Sequence, residues 1–193
     1  MNLKKGLSLV AFGFLFTLVD LNLTLNGSTL NVTPDCIGWF LLFLAIDCLG
    51  DYAADKKYLK WSALVLAVFT AAFWLLDIAR PELTPGLLKT LVSVAEAIYM
   101  FLLFGVLEKI AHAYASQREG MIRTLKILNV ALIAGFIATG LLASARESTA
   151  LVGTAAVLGF AALVAAVVTM FTLFKLRREI VEIMGKDDES HEN

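Results

Sequence analysis

The chain is poor in the residues that most often carry chemistry. It has two cysteines and two histidines in 193 residues. Cys36 and Cys48 fall on one predicted helix, where twelve residues at a rise of ~1.5 Å place them about 18 Å apart, too far for a disulfide. They have neither redox nor zinc spacing and read as small buried apolar residues. His112 and His191 lie in charged segments, each without a second ligand at metal-binding spacing, so no metal and no cofactor are expected. Gly-x-Ser-x-Gly, His-Glu-x-x-His and phosphate-loop patterns are all missing, which points away from an enzyme. A net charge of −1 offers no basic footprint for nucleic acid.

Charge is scarce as well as balanced. Charged residues make up 17% of the chain, against about 25% in soluble domains. Hydrophobic residues make up 59%, and the mean hydropathy is +0.79. The charges are also segregated: residues 127–145 and 149–174 carry none. A helix that crosses a bilayer needs about 20 mostly apolar residues, and a soluble chain of this length could not enclose two such segments in its core. The sequence therefore predicts a multi-pass membrane protein with the lipid bilayer as its main partner. The N-terminal MNLKKGLSLVAFGFLFTLV imitates a signal peptide, but no small-x-small cleavage site follows, so it reads as an uncleaved first helix.

Six apolar segments emerge, at about 6–19, 34–50, 61–79, 85–107, 127–145 and 149–174. The first two are short, and the second contains Asp47. Connections rich in Lys and Arg stay in the cytoplasm. With six crossings and an internal N-terminus, 13 of the 16 basic residues lie inside and 3 (Arg80, Lys89 and Arg146) lie outside. The expected architecture is an all-α six-helix transmembrane bundle over residues 1–176 with both termini cytoplasmic. KLRREIVEIMGK then extends the sixth helix as a cytoplasmic stub, and the acidic KDDESHEN at the end of 177–193 is expected to be disordered.

Between the first two segments, LNLTLNGSTLNVTPD alternates apolar and polar residues around Asn26-Gly27, the sequence signature of a β-hairpin. It is expected to cap the outer end of the bundle. Thr33-Pro34-Asp35 reads as an N-cap, a proline in the first turn and an acid at the positive helix end. Thr84-Pro85 repeats the device for the fourth helix.

The run Asn31-Val32-Thr33-Pro34-Asp35-Cys36-Ile37-Gly38-Trp39 resembles a segment of uncharacterised small multi-pass membrane proteins of bacteria, in which Pro-Asp-x-Ile-Gly and an aromatic open the second helix. The resemblance covers roughly the first quarter of the chain. It implies a bacterial cytoplasmic membrane and brings no activity with it. The six-helix plan also resembles the substrate-binding subunits of energy-coupling-factor vitamin transporters, without their Ala-x-x-x-Ala motif in the first helix.

Ionisable residues inside a bilayer cost about 2.5–3.5 kcal/mol at a helix centre on insertion scales, and are candidate functional groups. Glu96 is the deepest, about 16 Å along the fourth helix from Pro85. Lys89, Ser93 and Glu96 share one helical face. With Asp20, Asp35 and Asp77, Glu96 makes a set of four carboxylates in the outer half, which on convergence would bind a cation, a proton or a cationic ligand. The simpler alternative gives each a separate structural role, with Asp77 paired to Arg80. Asp47, near the inner end, is expected to pair with Lys56 or Lys57. In the fifth and sixth helices, Ala131, Gly135, Gly159 and Ala162 belong to small-residue stripes that suit close helix packing or self-association. Two functions follow from these features. One is a solute- or ion-binding transport subunit. The other is an accessory, sensing or protective membrane protein that works with a partner subunit or a second copy.

Overall fold

The computed structural model describes residues 2–18, 22–25, 28–31, 34–53, 55–79, 86–145 and 149–191. Six helices make up the body: α1 (Leu3–Leu18), α2 (Asp35–Leu49), α3 (Lys56–Ala79), α4 (Gly86–Tyr114), α5 (Ser116–Ala145) and α6 (Thr149–His191). Each packs on its neighbours in sequence, and α1 packs on α6, closing the six into a ring. The α3–α4 seam is the thinnest contact in that ring.

Residue pairs along each seam fix the helix directions. Gly6 meets Cys48 while Gly13 meets Leu42, so α1 and α2 are antiparallel. Arg118 bonds Glu179 while Asn129 bonds Thr169, so α5 and α6 are antiparallel too. The α2 side touches α4 at Trp39–Tyr99, and thirteen residues later Tyr52 meets Tyr114. These two helices therefore run parallel, and rings bridge them rather than close backbones.

The class expected from the sequence needs correction. Among the described residues, only four helices are long and apolar enough to cross a membrane, at Lys56–Ala79, Leu87–Tyr114, Ser116–Thr139 and Gly153–Ile183. α1 has 16 residues and α2 has 15, about 24 and 22 Å against a hydrocarbon core of ~30 Å. Six full crossings are therefore not supported. The strands Asn22–Leu25 and Ser28–Asn31 are paired antiparallel, with Asn22 opposite Asn31 and Leu25 opposite Ser28. Their pairing with one another is their main contact among the described residues. No sheet layer belongs to the fold, which is all-helical, and the hairpin as a cap seated on the bundle is not upheld. The Asn26-Gly27 turn lies outside the described residues.

The helices also outrun the apolar segments. α3 starts at Lys56, α4 reaches Tyr114, and α5 starts at Ser116. Lys, Arg and Glu are good helix formers, so charge ends the lipid-compatible stretch without ending the helix. For the same reason α6 passes through the basic stub and continues to His191, where disorder was expected. Pro34 is the N-cap of α2, one residue later than the sequence suggested, and makes no side-chain cap bond. Gly50 ends α2 at φ 63°, a left-handed position that favours glycine.

The centre of the ring is filled by large side chains. Phe14 of α1 packs on Phe104 of α4 with ring centroids 5.2 Å apart. Trp39 packs edge-on against Tyr99 at 5.1 Å. Met100, Leu103, Leu107 and Ile110 complete the α4 side. Outside, Leu87, Ile98, Val157 and Phe160 are exposed, an apolar surface suited to lipid.

Candidate functional site

The site grows from two same-face spacings. Asp35 and Trp39 are four residues apart on α2, and Glu96 and Tyr99 are three apart on α4, so each pair projects from one side of its helix. The parallel course of the helices brings the four to one level. Glu96 lies ten residues into α4, about 15 Å from its start, whereas Asp35 opens α2. α4 therefore extends beyond the start of α2, and the mid-helix carboxylate of Glu96 sits beside the recessed N-terminal end of α2.

Glu96 is half-buried, and Asp35 and Trp39 are the groups that act on its carboxylate. None of the ion pairs among the described residues includes it. Trp39 and Tyr99 are 1% and 2% exposed. Neither Trp39 Nε1 nor Tyr99 Oη has a hydrogen-bond partner among the described residues. Buried polar groups are nearly always satisfied, and leaving one unpaired costs about 1–3 kcal/mol. Two such groups lie beside an acid with no cation partner, and a second acid is close by. Among the described residues, this is where buried polar side chains of α2 and α4 gather around an acid that has no ion-pair partner.

The other expected site residues are distributed differently. Ser93 lies one turn from Glu96 on α4 and is half-buried. Lys89, on the same stripe, turns to α3, where its Nζ lies 3.0 and 2.9 Å from the two carboxylate oxygens of Asp77. Asp77 is thereby committed to the α3–α4 seam. Asp20 and Arg80 lie outside the described residues. Asp47 pairs with Lys60 and, at 3.6 Å, with Lys56 at the opposite end. Of the four carboxylates in the outer-half set, Asp35 and Glu96 are brought together and Asp77 is not. No group of three metal-capable side chains forms among the described residues.

The helix-packing residues also fall unevenly. Gly135 faces Leu158, and Gly159 faces Phe136, both at the α5–α6 seam. Ala162 is half-buried, and Ala131 is exposed, away from the seam. The tightest helix approach is elsewhere, at Gly6, Gly13 and Gly38 between α1 and α2. The sequence reading passed over Tyr99, and it noted Trp39 only as the aromatic of the resembling segment. Their spacing from Glu96 and Asp35 was the available signal. No protein-family model matches the chain, and neither a curated protein nor a solved structure matches it.

Proposed function

We propose that the chain is a small cation-binding membrane subunit of transport type, with Glu96 as principal ligand and Asp35 as the second acid. The supporting observation is the Glu96 carboxylate, which enters no ion pair among the described residues and lies beside the buried Trp39 and Tyr99. An acid at that depth is costly without a proton or a cation, and aromatic faces favour cations of low charge density. Sodium, potassium and tetramethylammonium are suitable probes. In mild detergent at constant ionic strength, one of them should raise the melting temperature of the wild-type protein above that in the others. Binding at 100 times Kd stabilises by about 2.7 kcal/mol. Glu96→Gln should remove this response and leave the fold intact. Identical melts in all three salts for both proteins would refute the reading.

A second reading, an accessory subunit that binds a partner helix, is favoured by a different feature. Ala131, Ala134, Ala138, Gly153 and Ala156 are exposed along α5 and α6, a surface that would admit close approach. Under that reading Ala131→Leu and Ala156→Leu should release a co-purifying partner, while Glu96→Gln should be silent.

A further inference from the structure

A second polar feature lies far from Glu96, at the basic end of α4 and α5. There a cleft of about 470 Å³ is lined by Tyr52, Gly105, Glu108, Lys109, His112, Glu119 and Lys126. Gly105, Glu108 and His112 recur on α4 at helical spacing, so they form one strip. Gly105 is the floor: a Cβ there would meet only Lys126 Nζ, at 3.9 Å. The absence of a side chain leaves room in the cleft where the Lys126 ammonium projects.

Among the lining residues Lys109 and Lys126 balance Glu108 and Glu119, and Arg123, beside Glu108, adds one positive charge. Glu108 is the only acid beside two cations, with Lys126 at 3.5 Å and Arg123 at 4.0 Å. Glu119 is held 2.8 Å from His112 Nδ1. Lys109 is exposed and enters no ion pair among the described residues. With Lys109 outside every ion pair among the described residues and Arg123 sharing Glu108 with Lys126, the group carries one surplus positive charge beside the cleft.

The position of the cleft indicates what would neutralise that charge. Lys126 is the last charged residue before the uncharged stretch 127–145, and Glu108 is the first after the uncharged stretch 97–107. The cleft therefore sits where α4 and α5 change from apolar to charged, which is the headgroup level of a bilayer. Lys126 Nζ lies 4.1 Å from the centroid of the Phe101 ring, which holds the ammonium at that boundary. Beyond it the same groove is apolar: Ile98, Phe101 and Leu102 on α4, and Ile127 and Leu128 on α5, are all exposed.

We propose that this groove binds one anionic glycerophospholipid, with its phosphate between Lys109 and Lys126 and its acyl chains along the apolar strip above Phe101. A cationic cleft joined to an exposed apolar strip matches an amphiphile carrying a negative head. A free phosphate compound would use the cleft and leave the strip unused. The site is independent of Glu96.

Native mass spectrometry of the purified protein tests this with dioctanoyl phosphatidylglycerol and dioctanoyl phosphatidylcholine. The wild type should retain phosphatidylglycerol about tenfold better, the ratio expected for one charge-assisted contact. Lys109→Gln changes an exposed residue and should erase the preference. Gly105→Leu fills the cleft and should lose both lipids, while Glu96→Gln should bind as the wild type does. Equal retention of the two lipids by the wild type would overturn the proposal, as would a preference unchanged in Lys109→Gln. Displacement of phosphatidylglycerol by an equal concentration of glycerol phosphate would show that the site takes the phosphate group alone, and would overturn the lipid assignment.

Discussion

The α1–α2 and α5–α6 pairs look like variants of one design, since both rely on small residues, but they use those residues in opposite ways. Between α1 and α2 the glycines let the backbones touch. A Cβ on Gly38 would lie 2.5 Å from Thr17 Cγ2 and 2.7 Å from the Gly13 carbonyl oxygen. A Cβ on Gly6 would lie 3.0 Å from Cys48 Cβ. Between α5 and α6 the glycines face side chains at ordinary distance, 3.4 Å to Leu158 and 3.5 Å to Phe136. Polar contacts hold that pair instead. Asn129 Nδ2 donates to Thr169 Oγ1 at 3.2 Å in the core, and Arg118 clasps Glu179 near the basic end. A small residue thus marks a place where helices can approach, and only the opposing atoms decide whether they do. In lipid, where burial of apolar surface does not drive helices together, that distinction decides which contacts hold the pair.

The sharpest test of the difference is Gly38→Ala. Its new methyl would meet backbone as well as the Thr17 methyl, so either α1 or α2 must shift. Overpacking of this kind costs about 1–3 kcal/mol, well above the roughly 0.5–1 kcal/mol that alanine gains over glycine in a helix. The melting temperature should fall by several degrees, the largest drop of any single methyl added to this chain. Gly13→Ala should fall less, because two of its three nearest atoms belong to the flexible Leu42 side chain. An unchanged melt for Gly38→Ala would show that the two short helices are not packed as described.

This contrast also explains how much of the molecule was legible in the sequence. Hydropathy marked six segments, and each corresponds to a helix, because lipid-compatible stretches are necessarily apolar. It did not give the helix ends, because Lys56, Lys109 and Arg118 continue a helix as well as leucine does. It also overcounted the spans, because α1 and α2 are apolar enough and too short. Four-residue spacing pointed to the α5–α6 seam, where Gly135 and Gly159 do lie, and not to the tighter α1–α2 seam. The operative spacing is seven, at Gly6 and Gly13 on α1 and at Gly38 and Ala45 on α2, and it brings the same side round after two turns. At the candidate site, Glu96 and Asp35 stood out as acids in apolar surroundings. The diversion of Asp77 to Lys89 could not be foreseen, because a contact between residues on adjacent helices depends on their relative height.

A smaller effect should appear on the other side of the comparison. Thr169→Val keeps the shape of the side chain and removes the acceptor for Asn129, which retains only its bond to the Leu125 carbonyl at 2.9 Å. Measured hydrogen bonds between membrane helices average about 0.6 kcal/mol, with a maximum near 1.7. The melting temperature should drop modestly, and Asn129→Leu combined with Thr169→Val should be no worse than Thr169→Val alone, since no buried amide is then left half-satisfied. Additive losses in the double variant would mean that each residue packs independently and that the bond contributes nothing.

The smallest effect should have the opposite sign. Gly159 is helical, and a methyl there would make an ordinary van der Waals contact with the Phe136 ring at 3.5 Å. Nothing in the α5–α6 seam has to move to admit it. The helix gains the conformational restriction that glycine lacks, about 0.5–1 kcal/mol, and adds a contact to a ring that is partly exposed. Gly159→Ala should therefore raise the melting temperature slightly, and Gly135→Ala, which meets the two methyls of Leu158 at 3.4 Å, should be neutral or raise it less. If instead Gly159→Ala destabilises as strongly as Gly38→Ala, then the α5–α6 backbones approach as closely as those of α1 and α2, and the two pairs follow one design after all.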